Sequence, residues 1–313
     1  MKLASVCLGA VLALAVTTQS AQAAQSASCD RACLVGLLDG YVAAMVAKDP
    51  KRVPVAAKVR FTENTNEMKL GDGLWGTITG VGTYKLYVAD PTAHQAMYYG
   101  VVKENGRTAL FGVRIKEQGR KLTEIETYVI RKESGVHGTF DALTNSDPVW
   151  DEVLPPAQRR PRAEMIKATN LYFEAIEQGN GDLMAIEEDA LRIENGRLTA
   201  PTPASDTRPA YTVRTQMNTK TFNYIPHVTQ RRFLAVDEER GLVFGTFMFQ
   251  HPGNIPRPGN ASGVPAATGT TVDLASFPNT TEIIEVFKLR NGKLYRIFAY
   301  VSLLPYRQAP GWP

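Results

Sequence analysis

YVAAMVAKDPKRVPVAAKVRFTEN, residues 41–64, and YFEAIEQGNGDLMAIEEDALRIEN, residues 172–195, have the same length without a gap, open on tyrosine and close on Glu-Asn. Each starts with the apolar spacing of an amphipathic helix. Each breaks at a turn, Lys48-Asp49-Pro50 in one and Gly179-Asn180-Gly181 in the other, and then runs through a second short helix into a strand. The ends of the two units also match, RKLTEIETYV at 120–129 against GKLYRIFAYV at 292–301. Both follow an apolar strand, 109–116 or 282–289, through a turn at Gly119 or Asn291-Gly292, which is a hairpin signal. An internal repeat of this size is read before any other feature. It predicts an α+β chain of two tandem domains, each an antiparallel sheet covered by its N-terminal helices.

Working outward, residues 141–162 between the units are rich in Pro and charge, as a linker is, with Trp150 and Leu154 as its packing residues. The units then span 24–140 and 163–313. Residues 252–277 insert Gly, Pro, Ala, Ser and Thr into the second unit, the composition of a flexible loop. At the start, Lys2, an apolar stretch over 3–16 and the Ala21-Gln22-Ala23 site predict a signal peptide over 1–23, and hence a secreted or periplasmic protein. That stretch is too short for a membrane anchor.

Apolar residues make up 44% and charged residues 21%, enough to bury a core. The net charge of +4 is spread without a basic run, which argues against a nucleic-acid partner. Arg159-Arg160 with Arg162, and Arg231-Arg232, read as solvated surface or linker. Cys29 and Cys33 sit one helical turn apart and read as a disulfide or as two free thiols. No Cys/His spacing suits zinc, and no phosphate loop, nucleophile elbow or HExxH is present, so neither metal nor nucleotide cofactor is expected. Gly71-Asp72-Gly73-Leu74-Trp75-Gly76 matches GxGxxG, but turn or strand residues follow where a helix is required. Asn260-Ala261-Ser262 and Asn279-Thr280-Thr281 are glycosylation sequons.

Alternation over 122–129 places Leu122, Glu124, Glu126 and Tyr128 on one face. On the preceding strand, Leu110, Gly112, Arg114 and Lys116 share a face. That arrangement is either an internal Arg114–Glu126 pair or a wet, salt-bridged outer face. Glu63 and Glu194 end equivalent strands, each followed by Asn, which points to a shared structural task. In the first unit, Glu63 beside Trp75 also suits a carboxyl of raised proton affinity. Of the four histidines, His251 closes an apolar strand and opens the insert, either as a general base or as a turn residue. Tyr224 lies in a segment that lines a pocket or forms an edge strand.

Several strings carry a resemblance. They are FTEN at 61–64, GDGLWGT at 71–77, LTEIE at 122–126, WDEVLPPAQRRPRAEM at 150–165, FNYI at 222–225, VDEERG at 236–241 and LPYRQAPGW at 304–312. The chain resembles the SnoaL-like cone fold of the nuclear-transport-factor superfamily. More closely, it is similar to a tandem family of secreted bacterial and fungal proteins of mostly unassigned function. The resemblance implies two cone-shaped domains, each a curved sheet closing around a pocket, and an apolar or aromatic small-molecule ligand. It also implies cofactor-free lyase or isomerase chemistry, in kind like that of lyases releasing formaldehyde from lignin-derived diaryl compounds. No Asp–His base pair of the superfamily's usual sort can be placed in either unit. On this reading Glu63, Arg114, Glu126 and His251 are the candidate acid–base set, with the first unit holding the principal polar site. Asn64, Trp75, Tyr84, Tyr87, Tyr128 and Tyr224 are the candidate substrate walls. The alternative is a periplasmic small-molecule binding protein without turnover. Assembly into a homo-oligomer is left open.

Overall fold

A computed structural model of the chain describes residues 29–134, 138–204, 210–255, 264–265, 271–272 and 274–313. The signal peptide, Asn260, His137 and most of the insert lie outside the described residues.

The first half begins with helix α1 (Arg31–Val46), capped by Asp30, whose carboxylate accepts the Cys33 amide. A Cys29–Cys33 disulfide closes the same turn, which settles the thiol alternative. Strands β1 (Val55–Glu63) and β2 (Asn66–Glu67), the one-turn helix α2 (Leu74–Thr77), and strands β3 (Ile78–Asp90), β4 (Gln95–Glu104), β5 (Arg107–Gln118) and β6 (Lys121–Arg131) follow. The second half repeats the plan with α3 (Arg162–Gln178), β7 (Ile186–Glu194), β8 (Arg197–Ala200), α4 (Val213–Asn218), β9 (His227–Asp237) and β10 (Leu242–His251). After a two-residue pair, β11 (Val264–Pro265) and β12 (Thr271–Val272), come β13 (Asn279–Arg290) and β14 (Lys293–Pro305). The six-stranded sheets have the same order, β2-β1-β6-β5-β4-β3 and β8-β7-β14-β13-β10-β9. Two tandem α+β cone-type domains are the result.

Three expectations need correction. The sheets are mixed, because β1 lies parallel to β6 and β7 parallel to β14. After the meander β3 to β6, the last strand returns beside the first in the same direction. The second short helix of each unit is a single 3-10 turn, Pro50–Arg52 or Gly181–Leu183. Asn279 of the second sequon opens β13, where its side chain is buried and donates to the carbonyls of Leu274 and Phe277, so the folded chain does not present it at the surface.

Each sheet has two buried faces. One lies under the domain's own helix: Leu38, Tyr41, Met45, Trp75, Phe111 and Val129 meet there in the first half. The other face packs against the other domain's sheet, bringing Tyr84, Tyr99 and Leu110 onto Phe244, Ile284, Phe298 and Tyr300. Tyr84 stacks on Phe298 with centroids 5.5 Å apart, and the Tyr300 hydroxyl donates to Gly100 O at 2.9 Å. Side chains from two inner faces interdigitate here as in a sandwich core.

Ion pairs cross this seam with two-fold symmetry. Arg31, the first residue of α1, reaches Asp237 at the end of β9. Arg162, the first residue of α3, reaches Asp90 at the end of β3. The domains therefore meet like two subunits of an isologous dimer. Trp150 is buried in the seam, and the linker is tied down by the Leu154 amide donating to Glu239 O at 2.8 Å. The C-terminal segment crosses back to the first domain, where the Trp312 indole donates to Thr62 Oγ1 at 2.8 Å. No described helix is long and apolar enough to cross a membrane.

Candidate active site

Three polar clusters compete for the role of functional centre, and their surroundings separate them. In the first cone, Glu63 ends β1 and its Oε2 accepts the Leu74 amide at 2.8 Å. A Cβ on Gly73 would sit 2.4 Å from that oxygen, and Gly73 has φ 67°, so only glycine fits. The Gly71–Gly76 match to a nucleotide loop is thus the seat of a carboxylate. Burial pushes the Glu63 carboxyl up, against the pull of the Leu74 amide and Arg131. The Trp75 indole donates to Tyr41 Oη at 3.0 Å. Asn64 has φ 47° and clasps Val129, accepting its amide at 2.8 Å and donating to its carbonyl at 2.9 Å. Asn195 does the same to Val301. The Glu-Asn repeat is therefore a joint that prolongs the parallel pairing of β1 with β6 and of β7 with β14. The Tyr87 hydroxyl donates to Asp39 on α1 at 2.6 Å, and its ring lies 5.4 Å from that of Tyr98.

The second cluster lies in the seam. Arg114 Nε donates to Glu126 Oε2 at 2.7 Å, and its Nη1 donates to Glu124 at 2.8 Å. The pair is buried as its strand positions suggested, but it faces the second domain rather than the interior of the first cone. Arg232 of β9 completes it, donating to Glu126 Oε1 at 2.8 Å. Trp312 lies over the Arg114 guanidinium at 4.8 Å. Burial opposes ionisation of Glu126, but the two guanidinium groups outweigh it and hold the carboxyl below its usual range. Tyr128 and Tyr84 belong to this same face. Leu122, assigned to the Glu126 face, instead packs under α1 with Ile125, because the register with β5 shifts between Lys116 and Glu117. Across the seam Glu282 is fully buried, and neither carboxyl oxygen has a hydrogen-bond partner. Burial and the nearby Glu126 charge push it up to about 8, against Arg232.

The third cluster lies inside the second cone, and sequence reading missed it. Strand registers align the two cones residue by residue. In the first, Glu63 and Val113 both pair with Thr127, and Tyr98 pairs with Val113. In the second, Glu194 and Glu285 both pair with Ala299, and Gly245 pairs with Glu285. One step earlier, Phe61 opposite Ile125 becomes Arg192 opposite Ile297. The apolar set Phe61, Tyr98 and Val113 is thus replaced by Arg192, Gly245 and Glu285.

Arg192 is almost wholly buried and ion-paired to Glu194 at 3.1 Å. Its Nε donates to Thr199 Oγ1 at 3.0 Å, and its other nitrogens donate to Tyr172 Oη and Gln216. Burial works against its charge, but Tyr172 and Glu194 more than restore it. Glu285 shares the face of Ile283 and Phe287, both in the cone's apolar core. Burial pushes its carboxyl well up, Glu194 adds to the shift, and Arg192 opposes it. A carboxyl of raised proton affinity thus shares its surroundings with a fixed guanidinium–carboxylate pair, in a core that also holds Tyr172, Phe173, Phe247 and Phe287. His251 and Tyr224 belong to this cone too, with ring centroids 5.4 Å apart. The described ends of the insert, at Ile255, Leu274 and Ala275, pack on the same core. The signal that could have found Arg192 and Glu285 was the repeat itself, carried through the strands before and after the matched strings. Among the described residues, no group of three His, Cys, Asp or Glu is placed to hold a metal ion.

A family described as a domain of unknown function, DUF8021, matches residues 158–301, the domain that carries this third cluster. No curated protein matches the chain. The epoxide hydrolase/cyclase-like enzyme SalBIII, of pyran ring formation in the polyether salinomycin, is 12% identical. That match covers 46% of this chain and 97% of SalBIII, with a TM-score of 0.30. IdmH of Streptomyces antibioticus, a candidate polyketide cyclase, is 14% identical over 44% of this chain and 91% of its own, with a TM-score of 0.28. An NTF2-like protein of unknown function from Cytophaga hutchinsonii is 9% identical over 31% of this chain and 88% of its own, with a TM-score of 0.26.

Proposed function

We propose that this chain is exported and that its second cone is an acid–base site working on an apolar, aromatic small molecule as a cofactor-independent isomerase or cyclase. The observation that carries this reading is the replacement of Phe61, Tyr98 and Val113 by Arg192, Gly245 and Glu285 at matching places in otherwise equivalent cones. A buried polar set is costly in an apolar core even when its charge is paired, and is kept where it has a task. Neutral Glu285 donates its proton to a carbonyl or alkene of the substrate. The carboxylate so formed faces Arg192 and takes a proton from a neighbouring carbon. The proton count closes on Glu285 itself, and no outside reagent is consumed. Glu194, Thr199 and Gln216 hold Arg192 in place during the exchange. Enolisable diaryl compounds of the lignin type are the substrates to try first, because such chemistry needs only a proton carrier and an apolar surround.

The test is hydrogen exchange. Aromatic ketones and diaryl compounds are incubated with the protein in deuterated water, and label entering the substrate is followed by NMR. Glu285→Gln is expected to slow exchange by at least about 100-fold, the usual size of a general acid–base contribution, with affinity nearly unchanged. Exchange at the wild-type rate in Glu285→Gln would overturn the reading. Binding without any exchange in the wild type would return the chain to the binding-protein alternative.

A further inference from the structure

We propose that Phe247 is the positioning residue of this site: its ring, laid across Gly245 directly opposite Glu285, seals the carboxyl from water and so sets its protonation state. The inference rests on the reading of Glu285 as the proton carrier, but its geometry stands alone. Gly245 pairs with Glu285 in the sheet. A Cβ built on Gly245 would fall 2.5 Å from Phe247 Cζ, so the tip of the ring fills the space a side chain would occupy there. The same Cβ would lie 2.6 Å from the Arg232 carbonyl oxygen, so the position accepts glycine alone. Phe247 is pinned in turn by Phe173, with centroids 4.0 Å apart, and by Phe233 at 5.5 Å.

The first cone supplies the contrast. There the ring belongs to Tyr98 and leans the other way, over Gly100, where a Cβ would lie 2.4 Å from Tyr98 Cε1. The residue paired with Tyr98 is Val113, and the acid of that row, Glu63, stands two strands beyond Val113. In the second cone the acid, Glu285, lies directly opposite the residue that the ring covers, Gly245; in the first, the residue opposite Gly100 is Phe111.

The charged and titratable groups facing Glu285 are Arg192 and Glu194 from β7, Tyr172 from α3 and, through the sheet, Tyr99 from β4. Arg192 and Glu194 act on it in opposite senses, whereas burial is the largest influence and acts in one. An apolar ring that excludes water is the means by which a carboxyl stays neutral near neutral pH.

The experiment reads the carboxyl directly. Full-length protein labelled with 13C at the glutamate side-chain carboxyl is titrated by NMR, and the Glu285 signal is identified by its loss in Glu285→Gln. Phe247→Ala is expected to lower the Glu285 midpoint by about one to two pH units, and Phe247→Leu by less. Tyr98→Ala in the first cone is expected to leave it in place. If Phe247→Ala fails to fold by circular dichroism, Phe247→Leu decides. An unmoved midpoint in a folded Phe247 variant overturns the proposal, as does an equal fall in Tyr98→Ala. Turnover retained by Glu285→Gln would instead remove the acid–base reading and leave the role of Phe247 in burying the carboxyl intact.

Discussion

Replacing Glu282 with glutamine should abolish a loss of stability that the wild-type protein suffers between pH 5 and pH 8. Glu282 sits in the seam between the sheets, fully buried, with no hydrogen bond to either oxygen. Facing it are Glu126 and Tyr128 from β6 and Arg232 from β9. Its carboxyl titrates near 4.5 when exposed and at about 8 in the folded protein. The sign follows from proton binding. Below pH 4.5 the group is protonated in both states and has no effect. Above it the unfolded chain ionises while the folded chain keeps its proton, so the folded state binds more protons and stability falls as pH rises. Each pH unit costs about 1.4 kcal/mol, so the loss reaches about 5 kcal/mol by pH 8 and then levels off. Glutamine is nearly isosteric and never ionises, and any packing cost it brings is independent of pH. Glu285 loses stability in the same direction, but it is present in both proteins and cancels in the difference. The assay is urea denaturation of wild type and Glu282→Gln at half-unit steps from pH 4.5 to 8.5. The difference between the two should shift by about 4–5 kcal/mol in favour of the variant across that range. Parallel profiles would mean that Glu282 ionises in the folded seam, and the reasoning would fail.

Three further outcomes follow from the same structure. Glu126→Ala leaves Arg114 and Arg232 buried without their shared carboxylate, and should cost about 3–5 kcal/mol by thermal or chemical denaturation, against less than about 0.5 kcal/mol for an ordinary surface change. Gly112→Val would drive a side chain into Ile284 Cδ1, 2.5 Å from the Cβ position, and into Met97 Cε at 2.7 Å. It should destabilise the domain pairing by about 1–3 kcal/mol, and an unchanged melting temperature would contradict the packing described. Mass spectrometry of protein recovered from the exporting host should find the chain beginning near Ala24, and retention of Met1 would refute cleavage.

The repeat made the architecture legible. Two copies of a helix leading into a strand, each followed by long hairpins, leave little choice but two sheets under helices. The Arg114–Glu126 pair was legible as well, because strand alternation and the adjacency of hairpin strands are local rules. Leu122 escaped that rule, since a register shift reverses its face and nothing in its neighbours announces one. The parallel pairing of β1 with β6 joins segments far apart in the chain and left no local mark.

The site was harder to see. Arg192 and Glu285 are ordinary residues in their own strands, and neither belongs to a motif. They acquire meaning only when strand register sets them beside Gly245, Glu194 and Ala299, and when the same register sets Phe61, Tyr98 and Val113 together in the other cone. Alternation shows that a strand has two faces; it does not say what each face will meet. By itself the sequence determined the repeat, the helices, the strands and the presence of paired charges, all of which follow from periodicity and turn chemistry over short spans. Only the tertiary structure decided that the Arg114–Glu126 face meets a second sheet while the Glu285 face lies under aromatic rings. Burial is a property of the partner surface, and burial sets whether a carboxyl is an ion pair or a neutral acid.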